Sequence, residues 1–366
     1  MVNFWLSLIG SAKMTKTAVV FTPKYLNHKT GIGHPESPAR LRVIMRKLNK
    51  NGLFETRKCS LVEPEPANIE DVELVHEPDY IHLVQRVCAS DGGLLDLGDT
   101  VVSPESFEVA LLAIGGAMKA VDLVMVEKFR NAFALVRPPG HHAGPYYALG
   151  FCIFNNTAIA AAHLLRNFNL KRILILDVDA HHGNGTQEIF YNTDKVLYIS
   201  LHQDPMEFPG TGFTDEVGEG KGLGYTVNIP FPFQTNDQIY FKAFNQIVVP
   251  IIQQYKPQFI LVSTGFDNHY TDPVASLSLS ALSYVKIFGK VSELASKFCA
   301  GKLVAILEGG YSLRFLGKMA VSVIARMAEV PYFIKDKRPV AGPGIRKRAE
   351  SIIEEVKKVQ SPFWDL

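Results

Sequence analysis

The chain has 366 residues, 47% of them hydrophobic, and a formal net charge of +2. That length supplies material for a large core, and the near-neutral balance excludes a global field for nucleic acid, an anionic membrane or a strongly acidic partner. Cysteines at 59, 88, 152 and 299 make no C-x-x-C and no short spacing, which argues against a disulfide framework or a thiolate metal site and fits a reducing, cytoplasmic setting.

In chain order, F-W-L-S-L-I-G near the start is apolar but lacks a basic flank and a small-residue cleavage site. Residues 1–13 therefore read as an added arm ahead of Met14, not as a signal peptide. T-A-V-V-F (17–21) is the first convincing strand, followed by helical spacing over 37–51 and 105–128. A-F-A-L-V (132–136), R-I-L-I-L-D-V (172–178), K-V-L-Y-I-S-L (195–201), Y-T-V-N-I (225–229), Q-F-I-L-V-S-T (258–264) and K-L-V-A-I-L-E (302–308) read as further strands. Helical spacing with plausible caps falls between them at 155–167, 236–255, 280–299 and 313–328. Most of the strand runs are continuously apolar, as in parallel strands buried on both faces. Their alternation with helices predicts a single, mostly parallel α/β sheet with helices on both faces. No window reaches the ~18 uninterrupted apolar residues of a spanning helix. No repeat or linker divides the chain, so 1–366 reads as one domain. Residues 332–366 read as a C-terminal extension: a looser Pro/Gly segment, then a charged helix over 345–360 packed on the outside. The basic residues between 335 and 348 read as solvated surface.

Ligands of open α/β sheets bind beyond the carboxyl ends of the strands. At those ends this chain places R-P-P-G-H-H-A-G (137–144), D-V-D-A-H-H-G-N-G (177–185), G-F-D-N-H-Y-T-D-P (265–273) and E-G-G-Y-S (308–312). Asp177, Asp179 and His181 are spaced i, i+2, i+4 and share one face of an extended backbone. Asp179 and His181, joined by Asp267 from another strand end, supply two carboxylates and an imidazole, enough for a catalytic divalent metal. Oxygen and nitrogen ligands suit Zn²⁺, with Fe²⁺ and Mn²⁺ compatible. A lone D-x-D is usually a turn cap; a strand-terminal D-x-D-x-H-H-G is far rarer. The rigid P-P-G turn can aim His141 and His142 into one cleft, where imidazoles suit general acid–base work. Tyr311, after two glycines, could donate to a developing oxyanion, and Phe151 could line a slot, although both also fit ordinary packing.

Together, T-G-I-G-H-P-E-S-P-A-R-L (30–41), H-E-P-D-Y-I (76–81), G-D-T (98–100), R-P-P-G-H-H-A, G-F-C-I-F-N-N (150–156), D-V-D-A-H-H-G-N-G-T, F-P-G-T-G (208–212), G-F-D and L-E-G-G-Y resemble the histone deacetylase superfamily over almost the whole chain. That superfamily also contains acetylpolyamine amidohydrolases and acetoin-utilisation proteins. The resemblance implies an arginase-like, three-layer α/β fold with a central eight-stranded sheet. It implies zinc-dependent removal of acetyl or other short acyl groups from amines such as acetyl-lysine. Asp179, His181 and Asp267 would hold the zinc, His142 would be the general base with His141 its partner, and Tyr311 would polarise the carbonyl. Asp177 would orient His141 instead of binding zinc. Asp99 would grip substrate at the rim, Phe151 and Phe208 would wall the tunnel, Gly150 would offer its carbonyl, and Arg40 would line an internal acetate route. A structural potassium would use Asp177, Asp179, His181, Ser200 and Leu201. Asn184 stands where the eukaryotic class I members have Asp and resembles the class II and many prokaryotic members. Such an amide would leave His142 neutral to lower pH. Acetylpolyamines are the alternative substrate. A ureohydrolase is disfavoured by the single-metal ligand set, and a non-catalytic acyl-amine-binding protein by the intact catalytic positions. The oligomeric state is left open.

Overall fold

The computed structural model describes residues 17–366; the arm at 1–13 lies outside them. Its strands are β1 (Thr17–Val20), β2 (Cys59–Val62), β3 (Gly93–Leu94), β4 (Val101–Val102), β5 (Asn131–Ala134), β6 (Ile173–Asp177), β7 (Val196–Gln203), β8 (Thr226–Phe231), β9 (Phe259–Thr264) and β10 (Leu303–Leu307). The α-helices are α1 (Ala39–Lys50), α2 (Ile69–Val72), α3 (Pro78–Ala89), α4 (Ser106–Met125), α5 (Asn156–Asn167), α6 (Asn184–Phe190), α7 (Asp237–Ala243), α8 (Val249–Tyr255), α9 (Ala281–Phe298), α10 (Leu313–Met327) and α11 (Pro343–Gln360).

Apart from the small β3–β4 hairpin, the strands form one eight-stranded sheet in the order β2-β1-β5-β10-β9-β6-β7-β8. Every pairing in it is parallel. Strands β5, β6, β9 and β10 are buried along their whole length, which is why their sequences are apolar without alternation. Helices α4 and α5 pack on each other and against β1, β5, β6, β9 and β10, while α1, α10 and α9 pack in series as a second helical layer. A three-layer α/β architecture results. The C-terminal segment is less peripheral than its composition suggests. Helix α11 packs on β8 and α7, and Trp364 Nε1 donates to the Gly224 carbonyl at 2.8 Å.

Some elements escape the apolar pattern. Strand β2 is a half-exposed edge strand of four residues, too short and too mixed to signal itself. In α3 the buried Tyr80, Ile81, Val84 and Cys88 make one helical face behind Pro78 in the first turn, a start signal overshadowed by the surrounding motif. The helix expected over 236–255 is broken by a π-helical turn, Phe244–Val248. Pro250 lies just beyond it and has no N–H for the helical ladder, which accounts for the break.

Candidate active site and metal centre

Because the sheet is wholly parallel, the carboxyl ends of β5, β10, β9, β6 and β7 stand side by side at one edge. The loops that follow them bring His141 and His142, Tyr311, Asp267, Asp179 and His181, and Phe208 to a common region. Asp179, His181 and Asp267 are buried, with their ligand atoms within 4.8 Å of one another. His181 Nδ1 lies 3.3 Å from Asp179 Oδ1 and 3.2 Å from Asp267 Oδ2. Asp267 Oδ2 is buried, and beside it stands only the poorly aligned His181 imidazole at 3.2 Å, which is costly for a carboxylate oxygen unless a cation satisfies it. A Cβ at Gly309 would collide with that oxygen and come within 2.6 Å of Asp179 Oδ2, so glycine keeps the space between the carboxylates clear. Two carboxylates and an imidazole around a cleared volume fit a divalent cation.

The electrostatics are those of tightly packed opposite charges. Burial alone would lower the His181 imidazole, but hydrogen bonds and charge from Asp179 and Asp267 outweigh it and raise it to about 10. Burial and the neighbouring Asp179 push Asp267 up to about 7. Burial also penalises the Asp179 carboxylate, but His141 and His181 outweigh it and hold Asp179 below the usual range. A metal ion would take the place of the proton on His181.

The two histidines after the P-P-G turn have separate partners. His141 Nδ1 is 3.1 Å from Asp177 Oδ2. Burial lowers its imidazole, yet Asp179 and Asp177 prevail and raise it to about 10. His142 Nδ1 is 2.8 Å from Asn184 Oδ1, an uncharged acceptor. Burial, together with the charge of His141 and His181, pushes His142 well below the ordinary histidine value. Adjacent imidazoles 4.0 Å apart, centre to centre, are thus driven in opposite directions, as acid–base pairs often are. Asp177 is occupied by His141, by the Tyr198 hydroxyl at 3.1 Å and by the Asp179 amide at 3.1 Å, so it backs the histidine. It lies in register with Ser200 across β6–β7; Ser200 Oγ is paired with His202 Nδ1 at 2.7 Å, and Leu201 is buried beside it.

Tyr311 is held from three sides. Its amide donates to Asp272 Oδ2 at 2.7 Å, its ring meets Phe151 edge-on at 5.8 Å, and the Arg40 guanidinium carbon lies 4.9 Å from the ring centre. Burial keeps its phenol well above the ordinary value, with Arg40 pulling the other way; it is therefore a neutral donor. Arg40 is buried and donates to the carbonyls of Gly310 and Glu308. Phe208 packs edge-on against His142 at 4.9 Å and His181 at 5.9 Å. Gly150 and Phe151 have φ of 55° and 70°. A Cβ at Gly150 would come within 2.6 Å of His142 and 2.9 Å of Phe208, so both the left-handed backbone and the close approach call for glycine. Asp99 is exposed on the neighbouring loop, its carbonyl 3.1 Å from His34 Nε2, and the His34 ring stands 4.8 Å from that of Phe151.

Two buried acids were not singled out from sequence. Glu308 accepts from the amides of Gly140 and His141 and from Thr157 and Ser263 hydroxyls, at 2.7 to 3.2 Å. It ties the histidine loop to β9 and α5, and burial raises it to about 7 against the opposing charge of His141. Glu36 bridges Arg40 at 3.1 Å and Arg137 at 2.7 Å. Glu308 gives itself away as a carboxylate closing an aliphatic strand, and Glu36 as the acid of H-P-E-S.

Comparison with known proteins identifies the family. A family profile described as Histone deacetylase domain matches residues 34–327. The chain belongs to the histone deacetylase family. A probable deacetylase of Archaeoglobus fulgidus is 44% identical over 361 residues, covering 95% of this chain and 98% of that one. A histone deacetylase-like amidohydrolase of Pseudomonas aeruginosa is 36% identical over 304 residues, 83% of this chain and 79% of that one. The crystal structure of the HDA15 HD domain superimposes with a TM-score of 0.85 at 34% identity and covers 96% of each chain. This deacetylase-family chain is a hydrolase of amide bonds, on the arginase/deacetylase-like α/β fold. No helix among the described residues is long and apolar enough to cross a membrane.

Proposed function

We propose that the protein hydrolyses N-acylated amines of the acetyl-lysine type, releasing acetate or another short acid. The observation that carries this reading is the meeting of the Asp179–His181–Asp267 cluster with a neutral-leaning His142 and a protonated Tyr311. Asp179, His181 and Asp267 would hold zinc, with Fe²⁺ or Mn²⁺ suited to the same donors. The ion supplies Lewis-acid polarisation and a water of lowered pKa. His142 takes the proton of the attacking water through Nε2, its Nδ1 being engaged by Asn184. His141, charged and paired with Asp177, stabilises negative charge beside it. Tyr311 donates its hydroxyl hydrogen to the oxyanion as the carbonyl becomes tetrahedral, and the imidazolium returns a proton to the leaving amine. Phe151 and Phe208 line the narrow approach, the Gly150 carbonyl accepts from the substrate stem, Asp99 grips the part of the substrate outside, and Arg40 marks the exit for the acid. A structural potassium against Asp177, Asp179, His181, Ser200 and Leu201 would stiffen the β6–β7 end. Cytoplasmic residence accords with four free cysteines.

Zinc-loaded protein assayed on acetyl-lysine peptides and on acetylated polyamines, with a hydroxamate as inhibitor, tests the reading. Peptide turnover blocked by the hydroxamate is expected. Preferential turnover of the polyamine would reassign the substrate, and binding without turnover would leave an acyl-amine-binding protein.

A further inference from the structure

A general base is useful only in the right tautomer. For His142 to accept a proton at Nε2, its Nδ1 must carry hydrogen, so its partner must be an acceptor. An aspartate there would present oxygen either way round. Asn184 has one end that accepts and one that donates, and turned over it would force the hydrogen onto Nε2.

The fold contains a device that sets this orientation. Asn184 and Glu188 lie one turn apart on α6, on one face of the helix, and Tyr147 reaches between them. The Tyr147 hydroxyl donates to Glu188 Oε2 at 2.6 Å, because a carboxylate can only accept. Its oxygen is then left to accept, and Asn184 Nδ2 donates to it at 3.0 Å. With Nδ2 committed to Tyr147, Oδ1 faces His142 Nδ1 at 2.8 Å. A weaker contact from Asn184 Nδ2 to the His142 carbonyl, at 3.4 Å, points the same way. The outer end of the chain opens on a cavity of about 550 Å³ lined by Tyr147, Asn184, Glu188 and Tyr191, apart from the cluster of Asp179, His181 and Asp267.

We infer that Tyr147 and Glu188 are positioning residues that lock Asn184, and through it the reactive tautomer of His142. This rests on His142 being the general base of the proposed hydrolysis. The chain replaces by direction what a carboxylate supplies by charge, and it makes the Tyr147 hydroxyl matter only while residue 184 is an amide.

The test is a double-mutant cycle in zinc-loaded enzyme. Tyr147→Phe keeps the ring and its packing on Tyr146, 5.4 Å away, and is expected to lower kcat roughly tenfold with little change in KM. In the Asn184→Asp background the same change should cost less than about twofold, because a carboxylate at that position has no donor to turn toward His142. Glu188→Ala should follow the same pattern. Equal losses in both backgrounds would make the phenol a packing group and overturn the inference. Nitrogen-15 spectra of labelled histidines provide a readout independent of turnover. The His142 signal should report hydrogen on Nδ1 in the native enzyme and a rise in the other tautomer in Tyr147→Phe; a native enzyme with hydrogen on Nε2 would sink it. If the native enzyme hydrolyses no acylated amine, the proposed reaction fails while the spectra still decide the tautomer.

Discussion

Burial holds both Tyr311 and His142 in their neutral forms. Tyr311 is buried among groups that keep its hydrogen in place, so Tyr311→Phe removes a donor without altering the metal ligands. Turnover should fall about 10²–10³-fold while bound metal, measured by elemental analysis, stays at the native level. For His142 the sign of the pH effect follows from its partners. Burial, with the charge of His141 and His181, disfavours the imidazolium, so the neutral imidazole persists to low pH. Asn184→Asp would set a carboxylate 2.8 Å from Nδ1 in place of the amide oxygen, stabilise the imidazolium and raise the pKa. The acidic limb of kcat/KM against pH should move upward, and an unmoved limb would show that Asn184 leaves the protonation of His142 unaffected.

At the scale of elements, most of the site was legible because the sequence repeats one construction: an aliphatic strand ending abruptly in ionisable residues and glycines. Parallel strands put all such ends at one edge, so the sequence pattern alone brings Asp179, His181, Asp267, the His141–His142 pair and Tyr311 together. Tyr147 and Glu188 were not legible. A tyrosine in a loop and a glutamate in a short helix carry no signal until the fold sets them 2.6 Å apart. Strand β2 was missed for a simpler reason: edge strands need no continuous apolar run. The looser Pro/Gly segment beyond α10 is tied to the rest of the fold through Asp336, which accepts from His269 Nε2 at 2.9 Å, Tyr270 at 3.0 Å and the Ala281 amide at 2.8 Å. His269 in turn meets Thr271, which meets Ser312 next to Tyr311. Asp336→Ala should therefore destabilise the protein by about 1–3 kcal/mol through orphaned buried donors, seen as a lower midpoint in denaturant.

For the molecule as a whole, the buried ligand cluster links metal to stability. An ion that binds only the folded chain adds about 2.7 kcal/mol when its free concentration is a hundred times Kd. Chelation should accordingly lower the Tm, and Gly309→Ala, which fills the space between Asp267 and Asp179, should blunt the metal dependence of that shift. The sheet order has one more consequence. Strand β10, the last in the chain, sits in the middle of the sheet between β5 and β9. Until residues 303–307 are made, β5 and β9 each lack the neighbour they have in the folded sheet, and any pairing within the β2-β1-β5 and β9-β6-β7-β8 groups leaves an open inner edge. Such edges invite wrong partners. A chain truncated before Leu303 should therefore aggregate more readily than the whole chain, as light scattering would show, and the strand that completes the sheet is also the one that delivers Tyr311.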